Sequence, residues 1–324
     1  MHHLIKQHHS FIGECREMKK IISIALVLVL ALSLCTACAK NETTGNMAGI
    51  VVFQSDFGQK DGADSAMKGV ASGVDSSLKL YDLTHEIPAY SIWDAAYRLY
   101  QTIEYWPEGT VFVSVVDPGV GSDRNSVVAK TGNGQYIVTP DNGTLTLVAE
   151  KFGIEEVRII DETINRRPSN GNPYTFHGRD VYAYTGARLA SGAISFEGVG
   201  DVVDDIVLLS YQQATYDNGV LKGNIPALDI QYGNVWTNIA FETADLMGIT
   251  IGETYNVTIF EDNEVVFTGD IPYVNTYSDV PEGDPLMYFN SLNCLSLAIN
   301  MDSFAGTFGV SYGNAWTIEV KPAK

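Results

Sequence analysis

Two patterns of hydrophobic and polar positions divide the chain into an N-terminal and a C-terminal part. From residue 48 to about residue 210, almost continuously apolar, β-branched runs alternate with longer segments of helical spacing. Continuous apolar runs are typical of strands buried on both faces of a sheet. The predicted strands include 49–53, 111–116 and 135–139, and the predicted helices include 65–74 and 91–105. We therefore expect an N-terminal α/β domain whose mixed sheet is flanked by helices.

The second half has an all-β pattern. From about residue 219 onward, short runs of alternating apolar and polar residues are separated by turn residues such as Asp262-Asn263. About 100 residues of this pattern predict a compact barrel or sandwich. The polar, turn-rich segment 211–221 marks the boundary. The expected domains are thus 49–215, which is α/β, and 216–324, which is all-β.

The N-terminus has the features of an export signal. Residues 21–34 form an unbroken apolar run of 14 residues behind Lys19 and Lys20. The run is too short to span a bilayer comfortably and has the length of a signal-peptide apolar region. Met18 is a more natural start than Met1, which makes residues 1–17 an upstream extension.

A cysteine follows this run in a context that resembles the lipobox of bacterial lipoproteins. Thr36 and Ala37 precede Cys38, although Cys35 stands where a leucine is usual. The resemblance implies that residues 1–38 hold the upstream extension and lipoprotein signal peptide, that Cys38 is lipidated and that 39–48 is a tether. The body is then anchored to the outer face of a bacterial cell membrane, with plain secretion as the alternative. Processing leaves Cys294 as the only free thiol, so no internal disulfide and no paired-cysteine zinc site are expected.

Charge excludes one class of partner. The formal net charge of the 324 residues is −19, and the first 38 carry four basic and two acidic side chains. Residues 39–324 therefore carry −21. A body this acidic repels phosphate backbones, which argues against nucleic-acid binding.

Common cofactor and nucleophile motifs are absent from the sequence. The Gly119–Ser122 stretch fails the dinucleotide pattern because Arg124 stands where the last glycine is needed. There is no phosphate-cradling Gly-Lys-Ser/Thr loop and no nucleophile elbow. Only His85 and His177 lie in the body, which rules out a multi-histidine metal centre. We therefore expect neither a metal nor a cofactor.

Two polar clusters follow predicted strands, where open α/β sheets bind ligands. The first, residues 54–58, contains Asp56, and the alternative role for this carboxylate is to cap the next helix. The second, residues 115–124, contains Asp117 and Arg124. Its alternative interpretation is a Pro-Gly turn with a surface arginine.

Two further clusters lie beyond these strands. Residues 175–180 contain His177 ahead of a helix-like segment, with a loop histidine and an aspartate near a helix N-terminus as the alternative. Residues 229–234 lie in the second domain, where the alternative is a simple β-turn at Gly233-Asn234.

Taken in order, nine motifs resemble the S-adenosylmethionine (SAM) hydrolase family, the SAM hydroxide adenosyltransferases, which are related to SAM-dependent fluorinase and chlorinase. The motifs are SDFGQKDG (55–62), MKGV (67–70), DLTHEIP (82–88), VDPGVGSDR (116–124), TPDNGTL (139–145), TFHGRD (175–180), YGNVWTNI (232–239), TYSDVPEGD (276–284), and NS (290–291) followed by LSLAIN (295–300). The resemblance implies an α/β domain joined to a C-terminal β-barrel. It also implies a homotrimer whose active sites lie between the N-domain of one subunit and the C-domain of a neighbour.

The resemblance implies a catalytic triad of Asp117, Arg124 and His177. Because the sulfonium of SAM makes methionine an excellent leaving group, the reaction lacks only a good nucleophile. Asp117 and His177 are expected to orient and deprotonate a water in line with the ribose 5′ carbon, and Arg124 to stabilise developing hydroxide. The sequence leaves open which member takes the proton.

The resemblance also assigns substrate-binding residues in both domains. Asp56 is expected to bind the ribose hydroxyls and Tyr90 to stand against the ribose. Asp229 and Ser291 are expected to hold the amino and carboxylate groups of methionine. Asn234, with Tyr232 beside it, is expected to bind the adenine edge. The sequence Leu-Asn-Cys at 292–294 departs from the family pattern after the NS motif.

Two other functions compete with hydrolysis of SAM. A non-catalytic nucleoside- or SAM-binding lipoprotein would keep Asp56, Asp229 and Asn234 but would not need the triad. A SAM-dependent halogenase is the other alternative, but halogenases lack this Asp and His. A carboxylate near the nucleophile would also repel halide.

Overall fold

The computed structural model describes residues 47–168 and 175–324. The expected signal peptide and the lipid-bearing Cys38 lie outside these residues. Within the two described ranges, none of the helices combines the length and apolar character needed to cross a membrane.

The N-terminal half contains a seven-stranded sheet in the order β2-β1-β3-β5-β4-β6-β7. Its strands are β1 (Ile50–Ser55), β2 (Lys79–Thr84), β3 (Val111–Val115), β4 (Ser126–Thr131), β5 (Tyr136–Pro140), β6 (Ile154–Ile159) and β7 (Val202–Val203). Three neighbouring pairs are parallel: β2–β1, β1–β3 and β3–β5. The other three are antiparallel: β5–β4, β4–β6 and β6–β7. The predicted mixed sheet is confirmed.

Helices cover both faces of this sheet. They are α1 (Ala63–Val74), α2 (Ile92–Thr102), α3 (Thr146–Phe152), α4 (Glu162–Asn165), a π-helix (Gly178–Ala183) and α5 (Tyr184–Ala190), with 3₁₀ turns at Ile103–Tyr105 and Glu197–Val199. Val51 and Phe53 of β1 pack with α1, the π-helix and α5, whereas Val52 packs with α2 and α3. Alternate side chains of one strand thus enter two cores, which is why the strand sequence is continuously apolar.

The C-terminal half contains two antiparallel sheets, in the orders β10-β11-β15-β14 and β13-β12-β16-β9-β8. Their strands are β8 (Thr215–Asp217), β9 (Val220–Ile225), β10 (Ala227–Asp229), β11 (Asn234–Ala240), β12 (Thr254–Glu261), β13 (Glu264–Pro272), β14 (Pro285–Phe289), β15 (Cys294–Ile299) and β16 (Gly313–Pro322). Two short helices, α6 (Phe241–Asp245) and α7 (Phe304–Phe308), and a 3₁₀ turn at Tyr277–Asp279 complete this half. Side chains from both sheets share one core.

The expected closed barrel is not confirmed, because neither sheet closes in the described residues. On one side, β9 and β11 are linked by a side chain, since the Asn224 N–H donates to Asn238 Oδ1 at 2.7 Å. On the other side, only an isolated bridge joins Tyr273 to Met287. Continuous backbone ladders at both places would be needed for a barrel, so the half is two packed sheets.

An aromatic seam joins the two halves of the chain. Tyr97 of α2 packs against Trp236 of β11, with a ring-centroid distance of 6.3 Å. Trp93 Nε1 donates a 2.8 Å hydrogen bond to the carbonyl of Pro226. Cys294 is free and buried in this seam, and burial raises the pKa of its thiol to about 11.

The close packing of α5 on the sheet leaves no room for a side chain at Gly186. A Cβ added at Gly186 would lie 2.6 Å from Val113 Cγ2, whereas one added at Gly69 of α1 meets nothing within 4 Å. We expect Gly186→Ala to lower the free energy of unfolding by about 1–3 kcal/mol through overpacking. The matched Gly69→Ala should raise it by about 0.5–1 kcal/mol by favouring the helix. Urea unfolding measures both, and shifts of the same sign would contradict this packing.

Candidate functional site

Four predicted residues line one N-terminal cavity of about 310 Å³: Asp56, Tyr90, Asp117 and His177. The two aspartates meet there because β1 and β3 are parallel neighbours, with the last residue of one paired with the last residue of the other. Asp56 follows the end of β1 by one residue, and Asp117 follows the end of β3 by two. The cavity thus lies at the carboxyl edge of the sheet, where α/β folds bind ligands.

Asp117 is held by Arg124 in a two-point ion pair. Arg124 Nε donates to Asp117 Oδ1 at 2.7 Å, and Nη2 donates to Oδ2. The two side chains are only 6% and 13% exposed, respectively. A Pro-Gly turn is present, with the Val120 N–H bonded to the Asp117 carbonyl at 3.2 Å. The turn brings the arginine back over the aspartate, so Arg124 is not the surface residue of the alternative interpretation.

Two residues that the motifs did not single out support this pair from behind. Tyr182, fully buried in the π-helix, has its hydroxyl 3.1 Å from Ser126 Oγ and 3.4 Å from Asp117 Oδ2. Arg124 Nη1 also donates to Ser126 Oγ at 3.1 Å. Burial, followed by the charge of Asp117, raises the pKa of Tyr182, so the phenol stays protonated. A π-helix has wide turns and is common at functional sites.

His177 is buried just before the π-helix, and its two ring nitrogens have different surroundings. Nε2 lies 3.1 Å from Arg166 Nη2 and 3.9 Å from Glu162 Oε1. Nδ1 is buried without a hydrogen-bond partner among the described residues. Burial is the main cause that lowers the pKa of His177. The imidazole is therefore neutral at neutral pH.

Asp56 and Tyr90 are linked through the backbone. The Tyr90 N–H donates to Asp56 Oδ2 at 2.9 Å. Tyr90 has a φ of +70°, which is uncommon for a residue with a side chain, and its ring is 73% exposed at the cavity rim. Asp56 does not cap α1, because the N-cap of that helix is Gly62. The capping alternative for Asp56 is therefore wrong.

A buried histidine network fixes the loop that carries Asp56. His85 Nδ1 lies 2.7 Å from Ser55 Oγ, and its carbonyl accepts from the Gly58 N–H at 2.7 Å. Together, Asp64, Asp82 and His85 form a group that could hold a metal ion. However, Lys68 Nζ already donates to Asp64 at 3.1 Å and to Asp82 at 2.7 Å. An ammonium thus balances the carboxylates, and the network serves as a support for the loop.

Three of the predicted C-terminal residues line a second, C-terminal cavity of about 700 Å³: Asp229, Tyr232 and Asn234. Asn234 Nδ2 donates to Asp229 Oδ2 and to the Tyr277 hydroxyl, both at 3.1 Å. The chain turns just ahead of the place given by the alternative interpretation, because the Tyr232 N–H donates to the Asp229 carbonyl at 3.2 Å and Asn234 is already the first residue of β11. Gly233 is required there, because an added Cβ would lie 1.9 Å from the Ser303 hydroxyl.

Ser291 lines neither of these cavities. It belongs to a third cavity of about 580 Å³ at the seam, with Tyr97, Tyr100 and Cys294 in the lining. The nine predicted catalytic and substrate-binding residues thus fall into an N-terminal group, a C-terminal group and Ser291 alone. Four residues around the site were missed by sequence reasoning, and none of them lies in a motif: Ser126, Glu162, Arg166 and Tyr182.

Comparisons with known proteins cover most of the described chain. Residues 51–200 match the model of the SAM hydroxide adenosyltransferase N-terminal domain, and residues 223–317 match that of the C-terminal domain. An (R)-S-adenosyl-L-methionine hydrolase of Methanocaldococcus jannaschii is 33% identical over 267 residues, or 81% of this chain and 93% of the relative. A fluorinase of Actinopolyspora mzabensis is 30% identical, covering 82% of this chain and 95% of the relative. A conserved protein of Thermotoga maritima has a similar structure, with a TM-score of 0.77, 31% identity and coverage of 84% and 99%.

Proposed function

The chain belongs to the SAM hydroxide adenosyltransferase family, and we propose that it hydrolyses SAM to adenosine and L-methionine. Its relatives named as SAM hydrolases and fluorinases support an enzyme that acts on SAM. The observation that carries the choice of hydrolysis is the N-terminal cavity, where the Asp117–Arg124 ion pair and the neutral His177 come together.

The cavity offers what attack by water requires. Water is a weak nucleophile, so it must be held in line with the ribose 5′ carbon and lose a proton as it attacks. Asp117 and His177 supply polar groups in the cavity lining, and Arg124 supplies positive charge for developing hydroxide. The carboxylate also disfavours a halide in the same place, which separates this site from that of a halogenase.

The substrate is bound by the rim of the same cavity. One oxygen of Asp56 accepts the Tyr90 N–H, and its other oxygen is proposed to accept from the ribose hydroxyls. The exposed Tyr90 ring is proposed to stand against the ribose. Asn234 and Tyr232 are proposed to bind the adenine part of SAM. Asp229 and Ser291 are proposed to bind its methionine part. The reaction uses no metal or cofactor in this proposal.

We expect the purified full chain to convert SAM into equal amounts of adenosine and methionine, with no effect of added chloride or fluoride. Asp117→Asn and His177→Ala should each lower turnover at least ~100-fold, the usual size of such a contribution, while SAM affinity is largely kept. Chromatography of products and calorimetric titration of SAM measure the two quantities.

The same assay separates the alternatives. Binding of SAM without products would favour a non-catalytic receptor, and a halogenated nucleoside would identify a halogenase. Normal turnover by both variants would show that the triad assignment is wrong. Asp123→Asn is the matched control, because Asp123 lies in the same loop but lines no part of the cavity.

The separation of the site residues into an N-terminal and a C-terminal group supports active sites shared between subunits, which we propose to be those of a homotrimer. The C-terminal cavity has an exposed apolar rim, where Ile230, Tyr232 and Met301 are 71%, 67% and 82% exposed. Exposed apolar patches of this kind mark interaction surfaces. The exposed Tyr90 of the N-terminal cavity is their proposed neighbour in the next subunit.

Light scattering should therefore give three times the mass of one chain. Met301→Asp should weaken assembly and lower activity at nanomolar protein concentration, because it places a charge in the proposed interface. Val265→Asp is the control, since Val265 is 59% exposed on β13 and lines neither cavity. A wild-type monomer with full activity would contradict the shared site.

The apolar run at 21–34 and Cys38 support a lipid anchor on the outer face of a bacterial membrane. In a bacterial host, Cys38→Ala should move the protein from the membrane fraction to the soluble fraction, because the modified thiol is lost. Cys294→Ala should leave the distribution unchanged. Equal partition of wild type and Cys38→Ala in fractionated cells would exclude lipidation at this cysteine.

A further inference from the structure

Arg166 determines which nitrogen of His177 can carry a proton. Arg166 Nη2 lies 3.1 Å from His177 Nε2. A guanidinium has only N–H donors and does not lose its proton in proteins. Nε2 must therefore accept this hydrogen bond and be unprotonated. In a neutral imidazole, the single proton is then on Nδ1, the buried nitrogen that has no partner among the described residues.

Glu162 is the reason why the position of Arg166 matters for the tautomer of His177. The same Nη2 also donates to Glu162 Oε2, while Glu162 Oε1 lies 3.9 Å from His177 Nε2. A carboxylate that faces an imidazole nitrogen usually accepts a hydrogen bond from its N–H, which here would put the proton of His177 on Nε2. Because the guanidinium binds both groups, it prevents Glu162 from acting in that way.

We infer that Arg166 is a positioning residue that keeps His177 in its Nδ1–H form, which leaves no free acceptor on this imidazole and makes Asp117 the group that takes the proton of the attacking water. This inference rests on the proposed function. In the step, the water oxygen bonds to the 5′ carbon, and the carbon–sulfur bond breaks with its electron pair on the methionine sulfur. One proton of the water moves to Asp117, and the other stays on the 5′ hydroxyl of adenosine. Among the described residues, Oδ1 of Asp117 accepts a hydrogen bond only from Arg124 Nε, whereas Oδ2 accepts from both Arg124 and Tyr182.

The charges around His177 support this assignment. After burial, Glu162 and Asp117 raise its pKa, while Arg166 and Arg124 lower it, and the balance is a lowered pKa. Loss of Arg166 removes one lowering charge and leaves Glu162 free to bind Nε2–H. The pKa of His177 should then rise, so the neutral form is lost at a higher pH.

The tautomer can be measured without any turnover. Solid-state ¹⁵N spectra of the full chain, labelled at the histidine rings, distinguish protonated from unprotonated ring nitrogens. The signals of His177 are those missing from His177→Gln. We expect protonated Nδ1 in the wild type and in Arg166→Lys, whose ammonium also has only donors, and protonated Nε2 in Arg166→Met. Protonated Nε2 in the wild type would overturn the inference.

Turnover gives the second readout. In Arg166→Met, the acidic limb of the pH profile of kcat should move up by about one unit, which is a tenfold loss on that limb. Arg166→Lys should restore it, and Arg167→Met should behave as wild type, because Arg167 is half-exposed and lies 3.9 Å from its partner Asp180. An unchanged profile in Arg166→Met would also overturn the inference. If the chain does not hydrolyse SAM, the spectra still decide the tautomer, so the two failures are distinguishable.

Discussion

The largely buried ion pair between Asp117 and Arg124 is the interaction on which the site depends. Removing two charges from water is costly and is offset only by good geometry and further hydrogen bonds. Here the guanidinium binds both carboxylate oxygens, and Ser126 and Tyr182 supply the additional polar contacts. Loss of either partner would leave an uncompensated charge beside the cavity. The turn that follows β3, the start of β4 and the π-helix are thus tied to one pair of side chains.

The sequence predicts the N-terminal part of this arrangement well, because parallel strands bring their carboxyl ends to one edge. Asp56 and Asp117 each follow a continuously apolar run, and the structure brings both to one cavity. The partners of His177 were not predictable in the same way. Arg166 precedes it by 11 residues, outside every motif, and only the folded backbone brings the two together. Contacts between non-adjacent segments of this kind leave no periodic signal.

The C-terminal half shows a different limit of prediction from the sequence. Alternation of apolar and polar residues predicts strands and their inward faces, but closure of a barrel depends on a few pairings at strand edges. In this chain those pairings are replaced by one side-chain bond, from the Asn224 N–H to Asn238, and by one isolated bridge, Tyr273 to Met287. The same limit applies to Ser291, whose neighbours come from α2 and the seam. A motif can identify a residue without revealing which surface it lines.

Tyr90 holds Asp56 through its backbone and leaves its side chain exposed at the cavity rim. Asp56 is oriented by a main-chain N–H, which every residue except proline provides, while the ring of Tyr90 points away as an exposed group. A change of side chain at this position therefore alters the surface at the mouth of the cavity without removing the bond that holds the carboxylate. Asparagine or glycine would even relax the positive φ. The mouth of the cavity can thus change in size and polarity while the groups that line its interior stay in place.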